Sequence, residues 1–219
     1  MKRILRLTLV LLAVSGLLQV SYGQAGNYQL TSGGSPTVTG TATGTAASVQ
    51  SATGTSLTAT LNFGDVSMRN PNTRVSIVMP IRISTKADYR VFVQRTAIGA
   101  GSGVQAVNIG FGVRNFRAQV TPNSLRATAL SGIVTSGSFG TDPSTAPLNA
   151  DGQPTFSATL NNISTATPTQ IFSGPQTTST GNYGTNGGSI LADLVFVIVP
   201  EFYTPTTSFT TTLTITIGP

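Results

Sequence analysis

The chain has 219 residues with no cysteine and no histidine, and only 8% of them are charged, against a typical ~25%. Those absences exclude a disulfide framework, thiol nucleophiles and the usual general base, and they remove most metal-ligand sets. With a formal net charge of +6 carried by so few groups, solubility rests on Thr, Ser, Asn and Gln, a surface suited to an assembly or matrix.

Lys2, Arg3 and Arg6 form a positive n-region, residues 7–20 an apolar h-region, and Ser21-Tyr22-Gly23 a small-residue cleavage site. Residues 1–23 therefore read as a secretory signal peptide cut before Gln24. The apolar run falls short of the ~20 residues that a membrane span needs. No transmembrane segment is expected after cleavage, and the expected location is extracellular or on the cell surface. Residues 24–56 read as a Thr/Gly/Ala-rich N-terminal extension or linker, or a weakly held edge. From 31 to 56 only Val38 and Val49 are bulky apolar residues of the kind a donated strand would need, too few to offset the entropy of ordering the tract. Residues 57–219 read as a single β-sandwich domain.

Strand patterns begin at Leu57, where Leu57, Ala59, Leu61 and Phe63 alternate with Thr58, Thr60 and Asn62. Val75, Ile77, Met79, Ile81 and Ile83 repeat the period of two. Pro80 falls on the opposite face and donates no hydrogen bond, which predicts an edge strand or a bulge there. Tyr89, Val91 and Val93 follow, then Val107, Ile109, Phe111 and Val113. Phe156, Ala158 and Leu160 mark a further strand. Residues 190–199 are almost continuously apolar, as in a strand covered on both faces. Phe209, Thr211, Leu213, Ile215 and Ile217 then alternate with Thr210, Thr212, Thr214 and Thr216. Turn residues separate these runs and no window has helical spacing, so the expected fold is all-β, an antiparallel sandwich with Greek-key connections. A transmembrane barrel would need aromatic girdles, and the chain has no Trp and five Tyr.

Catalytic chemistry finds little to work with. The six carboxylates are Asp65, Asp88, Asp142, Asp151, Asp193 and Glu201, and none of them falls in a recognisable motif. The Gly99-Ala100-Gly101-Ser102-Gly103 run does not open a helix, so it reads as a loop and not a phosphate cradle. Asn149-Ala150-Asp151-Gly152 lacks the spaced acids of a calcium loop. The Thr row at 210–216 is a single row, which Thr's preference for exposed strand faces explains. No enzyme activity, cofactor, metal or nucleic acid is expected.

Leu61-Asn62-Phe63-Gly64-Asp65-Val66, Tyr89-Arg90-Val91-Phe92-Val93 and the closing stretch 209–218 resemble strands of secreted surface proteins of the spore-coat-U and fimbrial-subunit (pilin-like) type. The resemblance implies an immunoglobulin-like sandwich and a structural or adhesive role, through self-association or contact with other surface proteins. The pilin-like disulfide is missing and the insertion around 127–155 has no counterpart, so assembly by strand donation is not carried over. The alternative reading is a soluble extracellular module that binds a polysaccharide or small ligand.

Charge is segregated along the chain. After residue 23 all nine cations lie between Arg69 and Arg126, opposed there by Asp88 alone, and the cation-free stretch 127–219 carries four acids. If 74–84 and 89–95 form a hairpin centred near Lys86, Arg82 stands opposite Arg90. Arg74, Arg82 and Arg90 then make a candidate interaction ridge for an acidic neighbour or an anionic polysaccharide.

Overall fold

The computed structural model describes residues 27–39, 48–51, 54–63, 74–98, 104–119, 125–178, 188–199 and 210–219. The expected signal peptide, the 99–103 glycine loop, Asp65, Arg69 and Glu201 lie outside the described residues.

The described strands form two antiparallel sheets. In the first, β1 (Tyr28–Ser32) and β2 (Thr37–Thr39) both pair with β5 (Val75–Thr85), which pairs with β10 (Ile190–Ile198), which pairs with β7 (Ile109–Ala118). In the second the order is β3 (Ser48–Ser51), β4 (Ser56–Asn62), β11 (Thr210–Gly218), β6 (Tyr89–Arg95), β9 (Thr169–Gly174) and β8 (Val134–Thr135). Among the described residues neither sheet closes on itself, and the two pack as a sandwich. Three short strands of the 24–56 stretch thus belong to the sheets, and Tyr28 and Leu30 of β1 are buried in the core.

The period-two residues fill the space between the sheets. Val75, Ile77, Met79, Ile81 and Ile83 of β5, Leu57, Ala59 and Leu61 of β4, and Leu213 and Ile215 of β11 are all buried. Phe116 of β7 meets Phe172 of β9 edge-on across the interface, ring centroids 5.1 Å apart, while Phe111 and Phe196 stack at 5.1 Å within the first sheet. Aromatic pairs at such distances add to area burial alone.

β10 is buried on both faces, as its unbroken apolar run implies. Its inner residues Leu194, Phe196 and Ile198 join the core, and Val195 and Val197 on the outer face are equally inaccessible. Their cover is the insertion after β8. Its short 3-10 turn at Pro143–Thr145 lies against β7 and β10. Gly110 and Gly112 of β7 make this possible: a Cβ at Gly110 would enter the Phe156 ring, and one at Gly112 would meet the Thr141 carbonyl and Pro143.

Four expectations need correction. Pro80 marks neither an edge nor a bulge, because β5 is interior and pairs in unbroken register with β10 there. Its carbonyl accepts from Gly33 N–H at 2.8 Å, just where β1 gives way to β2. In an antiparallel strand N–H and C=O of one residue point the same way, so the missing donor faces a break in the pairing. Phe156, Ala158 and Leu160 form no strand. A single bridge joins Thr159 to Gly110, and the chain then turns into a 3-10 helix at Leu160–Asn162, where Asn162 Oδ1 accepts from Thr159 N–H and competes with a ladder. Val107 precedes β7 in a 3-10 turn and is 54% exposed. Finally, 74–84 and 89–95 are no hairpin. β5 has β1 and β2 on one side and β10 on the other, so the chain crosses at Lys86–Asp88 to the second sheet.

Candidate functional site

That crossing separates the three arginines of the expected ridge. Arg82 alternates with buried Ile81 and Ile83, and so faces outward from the first sheet, between Thr31 and Leu191, with Nε donating to Ser189 Oγ at 3.0 Å. Arg90 alternates with buried Tyr89 and Val91 and faces outward from the second sheet, between Gly218 and Ser173. The two lie on opposite faces of the sandwich. Arg74 is occupied elsewhere, its guanidinium donating to the carbonyls of Ser144 and Ala146.

Most other described charges also hold loops in place. Arg114 Nη1 pairs with Asp142 and donates to Ser144 Oγ at 2.9 Å. Burial works against the charged form of Asp142. Hydrogen bonds from the Ser144 hydroxyl and N–H, and then Arg114, outweigh it and hold the carboxyl below its usual range. Arg117 Nη1 pairs with Asp193 at 2.9 Å, and Asn115 Nδ2 donates to the other oxygen at 2.8 Å. Arg95 Nε donates to the Leu160 and Ile163 carbonyls at 2.9 Å, and burial lowers its pKa. Asp88 Oδ1 accepts from Gln176 N–H at 3.2 Å. Among the described residues no two of these carboxylates share a partner, and no group of three His, Cys, Asp or Glu side chains could hold a metal. The 149–152 segment is an Asx turn in which Asn149 Oδ1 accepts from Asp151 and Gln153 N–H at 3.0 and 2.8 Å. No described helix is long and apolar enough to cross a membrane.

Two surface features remain. The first is a cleft of about 570 Å³ at one end of the second sheet. Arg90 and Ser173 come from neighbouring strands, Asp88 from the β5–β6 connection, and Thr128 and Gly132 from the turn before β8. Tyr89, Gly174, Pro175 and Pro219 complete its wall. A side chain at Gly174 would place its Cβ 2.6 Å from Tyr89 Oη, so glycine is what lets the ring pack there. The Tyr89 hydroxyl is buried with no hydrogen-bond partner among the described residues, and burial pushes its pKa up.

The second is the outer face of the second sheet. Thr212, Thr214 and Thr216 of β11 lie directly across from Thr60, Thr58 and Ser56 of β4. The single Thr row visible in the sequence is therefore the second of two in register, and the first was hidden because Ser56, Thr58 and Thr60 read only as the polar half of another strand. Sequence reasoning missed the cleft as well, since its walls come from four separate segments of the chain.

Comparison of the chain with protein-family models, with curated proteins and with solved structures gives no match.

Proposed function

We propose that the chain is an exported, non-catalytic structural or adhesive component of a cell surface, working through its faces and not through a reactive cleft. The observation that carries this reading is where the polar chemistry goes. Arg74, Arg95, Arg114 and Arg117 hold the insertion and the sheet ends, and Asp142 and Asp193 are spent on two of them. What remains outward on β4 and β11 is an uncharged hydroxyl face. Such a face offers little repulsion to a neighbouring copy or a matrix polymer, whereas charged surfaces keep proteins apart. The signal-like N-terminus and the resemblance to fimbrial and coat subunits support the same reading.

Negative-stain microscopy and light scattering of purified protein beginning at Gln24 test it. Filaments, sheets or large oligomers are the expected result. A monodisperse monomer at high concentration that is also released freely from the producing cells would sink the reading.

A further inference from the structure

We infer that the cleft beside Arg90 is a binding site for an acidic polysaccharide, with one sugar carboxylate on the Arg90 guanidinium and the neighbouring sugars along the hydroxyl face of β11 and β4. This rests on the surface-adhesion reading and names its partner.

Charge supplies the first argument. Arg90 is exposed and, like Arg126, makes no side-chain ion pair or hydrogen bond with a described residue, whereas Arg74, Arg95, Arg114 and Arg117 are engaged; of the two, Arg90 lines the cleft. Its guanidinium opens onto a concavity, and a planar fork of donors is the side chain best matched to a carboxylate.

The rest of the lining sets the ligand class. At about 570 Å³ the cleft is wide and open to solvent, a shape that suits a polymer laid across it more than an enclosed small molecule. Gly132, Gly174, Pro175 and Pro219 supply apolar lining, and the polar side chains among its lining residues include Arg90, Asp88, Ser173 and Thr128. A sugar acid finds a cation for its carboxylate, Ser173 and Thr128 for its hydroxyls, and the Asp88 carboxylate as an acceptor.

The third argument is continuity. Arg90 pairs with Gly218, and from there β11 runs back through Thr216, Thr214 and Thr212 beside Ser56, Thr58 and Thr60. Successive outward residues on a strand are ~6.8 Å apart and neighbouring strands ~4.8 Å apart, so the hydroxyls form a close two-row grid leading away from the cleft. The grid carries no charge. The matching polymer is therefore one whose acid groups are spaced among hydroxyls and not a dense polyanion.

Hyaluronan, which carries one carboxylate per two sugars, is the probe, with neutral dextran as the control, in binding measurements on the mature chain at low and high salt. Wild-type protein should bind hyaluronan and not dextran. Arg90→Gln should weaken binding roughly tenfold or more, with an unchanged melting temperature. Arg82→Gln, on the opposite face, should bind as the parent does. Equal losses in both variants would reduce the effect to overall charge and overturn the site. So would undiminished binding by Arg90→Gln, no binding by the parent, or equal binding to dextran. Light scattering on the same samples reads self-association separately, so the surface-protein reading can stand where the cleft fails.

Discussion

Cutting Leu213 and Ile215 back to alanine tests whether β11 holds the second sheet together. The strand runs between β4 and β6, with Leu213 opposite Ala59 and Arg95 and Ile215 opposite Leu57 and Val93. Both side chains are 0% exposed. Each substitution removes roughly three carbons, and at ~0.8 kcal/mol per buried carbon the transfer loss is about 2.4 kcal/mol. The space left behind adds to it, bringing each change to about 3–4 kcal/mol, within the ~2–5 kcal/mol seen for such truncations. The two positions are neighbours on one face, so their cavities merge and strict additivity fails. A combined loss of about 6–8 kcal/mol is still comparable with a whole domain's ~5–15 kcal/mol. Thr214, between them, points to solvent, and Thr214→Ala should change stability by no more than ~0.5 kcal/mol. Urea unfolding followed by circular dichroism measures both. The double variant should be largely unfolded before denaturant is added, while Thr214→Ala keeps the parent midpoint and slope. A double variant with the parent's midpoint would refute the burial of this face.

The insertion offers two further tests. Asp142 has a folded pKa below its unfolded value of ~3.9. Its contribution is therefore present above that value and lost as pH falls through the folded pKa, so stability should drop more steeply below about pH 4 in the parent than in Asp142→Asn. Acid profiles of equal slope would show that the Arg114 and Ser144 contacts do not bind the carboxylate selectively. Gly112→Val would push a side chain into the Thr141 carbonyl and Pro143. It should lift the insertion off β7 and β10, making 137–160 readily cleaved by protease while the sandwich survives, and an unchanged digestion pattern would count against that packing.

The elements that were readable from sequence are those whose neighbours do not alter the local pattern. β4, β5, β6 and β11 each keep one face on the core, and β10 is apolar because both its faces are covered. β9 was unreadable for a physical reason. Its pairing with β6 slips between Val91 and Phe92, leaving Ile171 as an extra residue, so adjacent Ile171 and Phe172 are both buried and the alternation is lost. The failed hairpin shows a different limit. Two amphipathic runs joined by the short Lys86-Ala87-Asp88 link look alike whether they pair or cross between sheets. The decision rests on which strands take β5's two edges, and β10 arrives more than 100 residues later. The cleft was hidden for the same reason, since no segment contains more than a few of its residues.

Charge segregation along the chain has a structural consequence that pairwise energies understate. β10 runs between β5 and β7, and the insertion folds back over β7, so the acidic half is interleaved with the basic half. Asp142 reaches Arg114 across 28 residues of sequence, and Asp193 reaches Arg117 across 76. Partly exposed pairs of this kind contribute about 0–1 kcal/mol each, too little to account for the fold's stability. Their value lies in selection. A misplaced insertion would strand Asp142 without Arg114 and leave the Ser144 and Ala146 carbonyls without Arg74. Gly110 and Gly112 complete this selection sterically, admitting the insertion at one place on β7. Arg90 stands outside the scheme. It lies on the other sheet and, like Arg126, makes no side-chain hydrogen bond or ion pair with a described residue, so the pairing that orders the insertion does not involve it.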